Sequence, residues 1–290
     1  MGGSDAAAVC GLNKWKSPFG VYLDKIGEGV ANSDSERLRQ GRDFEEYVAK
    51  RFEEATGKKV RRNNFMMIDE NFPFMIADID REIVGENSIL EIKTVSPFAK
   101  KAWKDGDIPQ NYQIQCLHYM AVTGAEKCYV AALVFGEEFI IRVIERDEET
   151  IQMLRDIEKE FWTKYIEGDE VPPADGSSDY ENILKEKYKN SINNCINIDL
   201  SDINMQEYEE RKTLIDELTT QNKVIEQTIK AQMGENDRGT SGDYEFSWKQ
   251  VSSNRFDGKG FKKDYPDLYE KYTKSNSYRR FGIKKNFKED

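Results

Sequence analysis

The stretch ILEIKTVSPF, residues 89–98, begins as a buried β-strand and carries an acid and a base two residues apart. Successive side chains on a strand point to opposite faces, so Glu91 and Lys93 share one face. Leu90 and Ile92 share the other. For an arbitrary pair of this kind, the ordinary interpretation is a solvated sheet face with an ion pair. The surrounding sequence has to decide between that interpretation and a reactive site.

The composition is that of a globular protein rich in charge, with a net charge of −11 over 290 residues. No apolar run approaches the roughly 20 residues that a membrane span needs, and the N-terminus lacks the features of a signal peptide. The four cysteines are scattered without a C-x-x-C pair, which argues against disulfides, a zinc site and an iron–sulfur cluster. His118 is the only histidine, which disfavours most zinc enzymes and a Ser-His-Asp triad. We expect a cytoplasmic protein without a membrane span.

Helix and strand patterns alternate over residues 1–173, which predicts one α/β (α+β) domain. Turn-forming residues predict a linker at 174–180. Residues 181–233 are polar and helical, and 234–290 form a small C-terminal region with a loop and a strand. The helical region carries a short heptad pattern, which fits an antiparallel hairpin within one chain or oligomerisation equally well. Its seam includes Ile215, Leu218 and Ile225.

Several predicted elements surround the strand of Glu91. Ser4 is predicted to cap a short helix that starts near Asp5. A long amphipathic helix follows from residue 35 to 57, and Glu45 lies beside its apolar stripe. Two strand-like segments, 58–68 and 74–84, precede the Glu91 strand. A helix rich in glutamine comes after it.

Asp80 precedes Glu91 by eleven residues across one tight turn, so a hairpin could bring the two carboxylates together. Two carboxylates at one point need a proton or a cation between them at neutral pH. A site of few oxygen ligands suits Mg²⁺ or Mn²⁺, and the Ile92 carbonyl can supply a further ligand. Lys93 could then orient or deprotonate a water for attack on phosphorus. Asp78 lies on the same strand face as Asp80, and spacing alone leaves both open.

The pattern Asp80…Glu91-Ile92-Lys93 resembles the metal-binding core of the PD-(D/E)XK nuclease superfamily. Five further segments occur in the order and spacing of the YqaJ-like viral recombinase family, relatives of phage lambda exonuclease. They are GGSDAAAVCGLNKWKSP, GRDFEEYVAKRFEEATG, FMIADIDREIVGENSILEIKT, YQIQCLHYMAVTG and RVIERDEE. The resemblance covers about residues 2–170. It implies a small mixed sheet flanked by helices, followed here by a C-terminal helical and small β extension.

The resemblance implies a Mg²⁺-dependent exonuclease that degrades double-stranded DNA from 5′ to 3′, with Mn²⁺ as a substitute metal. Its 3′ single-stranded tails would pass to a RecT-like single-strand annealing protein in homologous recombination. Relatives form rings around the duplex, so we expect a homo-oligomer, a trimer or tetramer. The gene would belong to a phage or prophage, and the protein would act in the bacterial cytoplasm.

The resemblance also implies roles for individual residues. Asp80, chosen over Asp78 by the family pattern, and Glu91 would hold the metal together with the Ile92 carbonyl. Lys93 would activate the attacking water. Glu45 would bind a second metal or a water. Gln115 would position the attacked phosphate or Lys93. Ser4 would bind the 5′-phosphate of the DNA. Relatives carry an arginine just before the GGSD-like stretch, so either the start is truncated or another cation substitutes.

Basic residues suggest further DNA contacts. Lys100, Lys101 and Lys104 follow the Glu91 strand and could touch backbone phosphates, although a solvated run is an equal alternative. From Arg255 to the end, eleven Lys and Arg stand against six Asp and Glu, a net charge of +5 that leaves −16 for the rest. In this tail, Arg279 and Arg280 could contact DNA or the annealing partner.

Other functional classes stay open from the sequence alone. A nuclease-fold protein could bind DNA with weak catalysis, although intact Asp80, Glu91 and Lys93 argue against that alternative. The 181–233 helices could instead form a protein-interaction scaffold. A different PD-(D/E)XK nuclease, such as an endonuclease, shares the same core. An iron–sulfur nuclease of this superfamily would need four clustered cysteines, which the sequence lacks.

Overall fold

A mixed five-stranded sheet is the centre of the protein. The computed structural model describes residues 1–29 and 35–285. The strands of the N-terminal part are β1 (Val60–Arg61), β2 (Met67–Ile68), β3 (Ile76–Ala77), β4 (Arg81–Ile83), β5 (Ser88–Val95), β6 (Lys127–Val134) and β7 (Glu138–Glu145). Their order in the main sheet is β1-β4-β5-β6-β7, and β2 pairs with β3 separately. Only the central pair β5–β6 is parallel among these described strands.

Helices cover both faces of this sheet. They are α1 (Gly3–Val9), α2 (Pro18–Lys25), α3 (Glu36–Thr56), α4 (Gln110–Thr123), α5 (Glu148–Phe161) and α6 (Ser178–Lys187). A 3₁₀ segment, Pro97–Gly106, precedes α4, and a π-helical turn, Trp162–Ile166, follows α5. The long helix α3 has the predicted ends: the Ser35 hydroxyl accepts a hydrogen bond from the Leu38 N–H, and Gly57 ends the helix with φ +72°.

The two faces of β5 have different surroundings. Leu90 and Ile92 pack with Val48 and Phe52 of α3 in one apolar cluster. Burying a side chain such as Phe52 contributes about 1.5–3 kcal/mol to stability. The opposite face, which carries Glu91 and Lys93, lies towards α4. The predicted alternation of β5 is therefore present, but neither face is solvated.

The apolar stripe predicted for α3 is buried over only part of its length. Val48 and Phe52 are fully buried, whereas Leu38 is 53% exposed. Phe44 is also exposed and packs edge-on against Phe135. The apolar side chains of α3 that are buried against the sheet come from its C-terminal half, after Glu45. The N-terminal half is more exposed.

The two strands predicted at 58–68 and 74–84 are broken into shorter pieces. β3 ends at Ala77 and β4 begins at Arg81, so Asp80 lies in the gap between them. The β4–β5 pairing stops at Arg81 opposite Leu90. Beyond that point the Ile92 N–H is satisfied by the Asp80 carboxylate instead of by a strand carbonyl. A hydrogen bond to a side chain thus takes the place of the next backbone hydrogen bond between β4 and β5.

The start of α1 differs from the prediction that Ser4 caps a helix beginning near Asp5. The helix begins at Gly3, with Gly2 as its N-cap, so Ser4 lies within the first turn and its side chain is exposed. Asp5 accounts for the earlier start, because its carboxylate accepts a hydrogen bond from the Gly2 N–H at 3.3 Å.

The chain divides into two compact units, one extending to Lys189 and the other beginning at Asn190. The sequence placed this division earlier, with a linker at 174–180. In the structure α6 belongs with the first unit, because the Asp179 carboxylate accepts hydrogen bonds from the Ser17 N–H and hydroxyl at 2.8 and 2.7 Å. Tyr180 also packs on Phe19, with ring centroids 4.5 Å apart.

The second unit contains a single long helix, α7 (Met205–Met233). A hairpin of β8 (Arg238–Ser241) and β9 (Tyr244–Ser247) and two short helices, α8 (Gly258–Asp264) and α9 (Pro266–Tyr272), follow it. Among the described residues no second helix of this unit folds back on α7, so the intrachain hairpin, one of the two alternatives that the heptad pattern allowed, is not found in this part of the chain. A search of the described helices finds none long and apolar enough to cross a membrane.

Candidate active site

Glu91, Lys93 and Gln115 form one connected cluster between β5 and α4. The Lys93 ammonium donates a hydrogen bond to Glu91 Oε1. The Gln115 amide donates to the same oxygen at 2.8 Å, and its own carbonyl accepts a hydrogen bond from Lys93 Nζ at 3.1 Å. Glu91 is only 3% exposed. The ordinary interpretation of a solvated ion pair therefore does not hold for this strand.

Asp80 joins this cluster through the backbone of β5. Its Oδ2 lies 2.6 Å from the Ile92 nitrogen, which places the carboxylate beside the Glu91–Ile92 peptide. Asp78, the alternative that spacing alone allowed, is exposed. The structure thus brings together Asp80, Glu91, Ile92 and Lys93.

The electrostatics of the cluster indicate a site that is short of positive charge. Burial, reinforced by the charge of Glu91, raises the pKa of Asp80 from 3.8 to about 8. Burial alone would lower the pKa of Lys93, but the neighbouring Glu91 and Asp80 raise it well above its usual range. A cation beside the two carboxylates would relieve their repulsion and favour the charged form of Asp80.

The donor atoms fit a hard divalent cation. Asp80 and Glu91 offer carboxylate oxygens and Ile92 a carbonyl, the ligand chemistry that Mg²⁺ and Mn²⁺ prefer when water completes the coordination. In residues 1–29 and 35–285, no three His, Cys, Asp or Glu side chains meet as a metal-binding group. A metal here would therefore be held by two carboxylates, a carbonyl and water.

Glu45 lies close to the cluster but is engaged by arginines. Its carboxylate accepts hydrogen bonds from Arg81 and from Arg62, the latter at 2.9 Å. Arg81 is buried, and its guanidinium also bonds Glu46 at 3.1 Å and the Asp80 carbonyl at 2.6 Å. The charge of Glu45 contributes to the raised pKa of Asp80, so the two carboxylates are neighbours. The predicted role of Glu45 as a ligand would require it to leave Arg81.

Helix α1 brings Ser4 towards the site through its contact with α4. Gly3 is buried, and a Cβ added there would lie 2.8 Å from Gln115 Cγ and from Tyr119 Cε1. Only glycine allows this approach of the two helices. Ser4 follows directly in the chain. A role for its exposed hydroxyl in holding a 5′-phosphate stays a prediction.

The basic residues predicted to contact DNA are in different surroundings. Lys100 lies 2.7 Å from Glu137 and 3.3 Å from Glu138, so its charge is already balanced within the fold. Lys101 and Lys104 are exposed on the 3₁₀ segment. Arg279 and Arg280 are exposed in the second unit.

Three residues of the site were missed from the sequence. Tyr112 places its ring 4.8 Å from Lys93 Nζ, and the Tyr119 hydroxyl lies 3.1 Å from Gln115 Nε2. Arg81 holds Glu45. A signal existed for the tyrosines, because positions three before and four after Gln115 lie on the same face of a helix. For Arg81 the signal was only its position next to Asp80.

Comparisons with known proteins identify the family of this chain. The model of the YqaJ-like viral recombinase domain matches residues 1–126. Over 290 residues the chain is 44% identical to "Uncharacterized protein YqaJ" of Bacillus subtilis (strain 168), covering 98% of this chain and 91% of that protein. The chain belongs to the YqaJ-like viral recombinase family. The predicted family is thereby confirmed.

The fold of this chain is also found in solved structures. The alkaline exonuclease LHK-Exo from Laribacter hongkongensis matches with a TM-score of 0.50 at 18% identity, over 58% of this chain and 88% of that one. The LHK-Exo structure in complex with dAMP matches with the same TM-score at 19% identity and the same coverage. At this identity the similarity shows the fold alone. The predicted PD-(D/E)XK nuclease fold is confirmed.

Proposed function

We propose that this protein is a Mg²⁺-dependent exonuclease that degrades double-stranded DNA from 5′ to 3′. The observation that carries the proposal is the convergence of Asp80, Glu91 and Lys93 beside Gln115, on the central strand of a nuclease-fold sheet. Family membership and the fold of LHK-Exo support the choice of a nuclease over other phosphoryl chemistry. The dAMP bound to LHK-Exo is a deoxynucleoside monophosphate, the product class that an exonuclease releases.

Each residue of the cluster has a separate proposed role in phosphodiester hydrolysis. Asp80, Glu91 and the Ile92 carbonyl would hold the divalent metal, for which Mn²⁺ substitutes. The metal supplies Lewis-acid polarisation of the attacked phosphate. Lys93 orients the attacking water. Gln115 fixes the positions of the Lys93 and Glu91 side chains through its hydrogen bonds to both. The new bond joins the water oxygen to phosphorus, and the bond to the 3′ oxygen of the terminal nucleotide breaks.

The proposed biological role is to expose 3′ single-stranded tails for a RecT-like annealing protein. Removal of the 5′ strand leaves the complementary strand unpaired, which is the substrate that annealing requires. We further propose a homo-oligomer, a trimer or tetramer, because a ring that encloses DNA keeps an exonuclease on its substrate over many cycles. Ser4 would hold the terminal 5′-phosphate and Glu45 would bind a second metal or a water, while Lys101 and Lys104 would contact backbone phosphates.

End-labelled linear duplex tests this proposal directly. We expect digestion that requires Mg²⁺, releases the 5′ label first and is faster on 5′-phosphate than on 5′-hydroxyl ends. Release of a 3′ label first, or cleavage of closed circular DNA at a similar rate, would instead support a different nuclease of this superfamily.

Substitutions in the cluster test the assigned chemistry. Glu91→Gln and Lys93→Ala should lower the digestion rate by at least about a hundredfold, because each removes a charge aimed at the reacting phosphate. Asp80→Asn should behave in the same way, whereas the exposed Asp78→Asn should retain activity. Glu145→Gln and Lys127→Ala, which break an exposed pair on the same sheet, are matched controls.

A second measurement is independent of catalysis. Mg²⁺ should raise the melting temperature of the wild type but not of Glu91→Gln, because only the former offers both carboxylates. Near wild-type digestion by either Glu91→Gln or Lys93→Ala would contradict the assignment.

A further inference from the structure

A groove in the first unit lies next to the active site and has no role in the chemistry described so far. We call it the aromatic groove and define it by Lys14, Trp15, Arg37, Trp103 and Tyr112, which line it together with neighbouring backbone. Its volume is about 360 Å³, within the range of ligand pockets. The groove lies beside the site, because Tyr112 lines it and places its ring 4.8 Å from Lys93 Nζ.

One aromatic side chain of the groove presents its surface to solvent. Trp15 is 77% exposed and lies on the loop between α1 and α2, where its backbone N–H donates to Asn13 Oδ1 at 2.9 Å. Tyr112, which also lines the groove, packs against the buried Trp103, with ring centroids 5.7 Å apart. An exposed indole is a surface on which a nucleobase can stack.

The positive charge of the groove favours binding of an anion. Lys14 and Arg37 line it, and none of the described side chains on its wall is acidic. This is notable in a chain with a net charge of −11. A neighbouring groove beside Arg81 shows the contrast, because Glu46 and Glu53 lie among its cations. Aromatic surfaces combined with unopposed cations are typical of sites that bind single-stranded nucleic acid.

The residues beside the groove form a recessed site. Glu91 is 3% exposed and Gln115 is 9% exposed, and both lie between β5 and α4. Where a DNA strand separates from its complement at such a site, its bases lose their stacking partners. An exposed aromatic ring next to the site can replace that stacking.

We propose that the aromatic groove binds the unpaired DNA strand adjacent to the scissile phosphate. A base stacks on Trp15, while Lys14 and Arg37 contact the backbone phosphates. This assignment deepens the proposed exonuclease function and rests on it, since it identifies how the substrate strand is held after it separates from the duplex. Trp15 acts in substrate binding and takes no part in bond cleavage.

Binding of a single strand without metal tests the assignment apart from catalysis. The probe is a fluorescein-labelled oligothymidylate of about twelve nucleotides, within the range of single-strand site sizes. Its affinity for the full chain is measured by anisotropy in EDTA. We expect Trp15→Ala to weaken binding about tenfold and Trp15→Phe, which keeps a stacking ring, to weaken it by less than about threefold. Trp248→Ala, which removes another exposed indole in the second unit, is the matched control and should bind normally.

Two further readouts separate stacking from a structural effect. Lys14→Gln should lower the slope of log affinity against log salt by about 0.7, the value for one phosphate contact on a single strand. The oligonucleotide should also quench less tryptophan emission in Trp15→Phe than in the wild type. Equal affinity of Trp15→Ala and wild type would overturn the proposal and leave the groove to a protein partner. Wild-type protein that binds through Trp15 but digests no duplex would contradict the proposed exonuclease while supporting the groove.

Discussion

Asp5 shows how strongly a single carboxylate can be tied into this fold. It is buried in the first turn of α1, with Lys16 Nζ 2.8 Å and Lys25 Nζ 2.7 Å from its two oxygens. Burial alone would raise the pKa of Asp5, but the hydrogen bonds from Lys16 and Lys25 lower it from 3.8 to about 2. The charged form is therefore the one that the fold stabilises, and Asp5 links the α1 start to α2.

This pKa gives a pH dependence whose sign is defined. Because the pKa of Asp5 is lower in the folded than in the unfolded protein, its contribution is complete above pH 3.8 and is lost as the pH falls through about 2. We expect Asp5→Asn to reduce the free energy of unfolding by about 2 kcal/mol near neutral pH. Thermal melts from neutral to acidic pH measure the difference from the wild type, which should shrink below pH 3.8. Asp24→Asn, at a more exposed partner of Lys16, is the control. A difference that does not change with pH would contradict the charge-based explanation.

The residues of the candidate active site differ in how well their positions can be predicted from the sequence. Glu91 and Lys93 could be placed on one strand face because alternation along a strand is a local property. The position of Asp80 on the Ile92 N–H depends on where the β4–β5 pairing ends, which no local pattern encodes. The bond between Glu45 and Arg81 joins residues 36 apart in the chain and depends on how α3 packs against β4. The family resemblance predicted that Glu45 lies near the site, but it did not predict the hydrogen bonds of Glu45 to arginines.

At the scale of elements, the contact between α1 and α4 positions Gln115. Since a Cβ on Gly3 would meet Gln115 and Tyr119 at 2.8 Å, Gly3→Ala should push the helices apart or shift the Gln115 side chain. We expect a lower melting temperature and slower DNA digestion. Gly41→Ala, in the middle of α3, has its nearest neighbour at an ordinary 3.7 Å and should stabilise the protein by about 0.5–1 kcal/mol. Wild-type stability and activity of Gly3→Ala would show that the contact adapts at no cost.

The long helix α7 presents an apolar stripe without a partner from its own unit. Ile215, Leu218 and Ile225 at its seam are exposed, and the described residues form no helical hairpin around them. This exposed stripe is compatible with the proposed association between copies of the chain. Asn222, at a seam position between Leu218 and Ile225, is a residue type that favours paired parallel helices in register.

Light scattering tests whether α7 takes part in the proposed oligomer. Wild type should have a mass that is a multiple of 33.6 kDa, and Leu218→Lys should lower it, because a charge at the seam opposes helix pairing. Thr219→Lys, one position away from the seam, should leave the mass unchanged. A wild-type mass of one chain at micromolar concentration, with and without DNA, would rule out the oligomer.

At the scale of the whole molecule, the charge is divided unevenly along the chain. The tail from Arg255 carries +5 and the remainder −16. An acidic body repels DNA at long range, so cations must be concentrated where DNA binds. The aromatic groove is the place that we propose in the first unit. The tail is another candidate, and its Tyr278 and Phe281 are also largely exposed, 79% and 86%.

The tail can therefore serve DNA or a protein partner, and the salt dependence of binding separates the two. Each phosphate neutralised on duplex DNA contributes about 0.9 to the slope of log affinity against log salt. If the tail binds DNA, changing four of its cations, Arg279, Arg280, Lys284 and Lys285, to Gln should flatten the slope by about 3 to 4. Single-hit cleavage at saturating DNA should barely change, because Asp80, Glu91 and Lys93 belong to the first unit. Replacing Lys212 and Lys223 of α7 controls for net charge. If the tail instead recruits the annealing protein, with Tyr278 and Phe281 as anchors, the slope stays constant and Tyr278→Ala weakens partner binding.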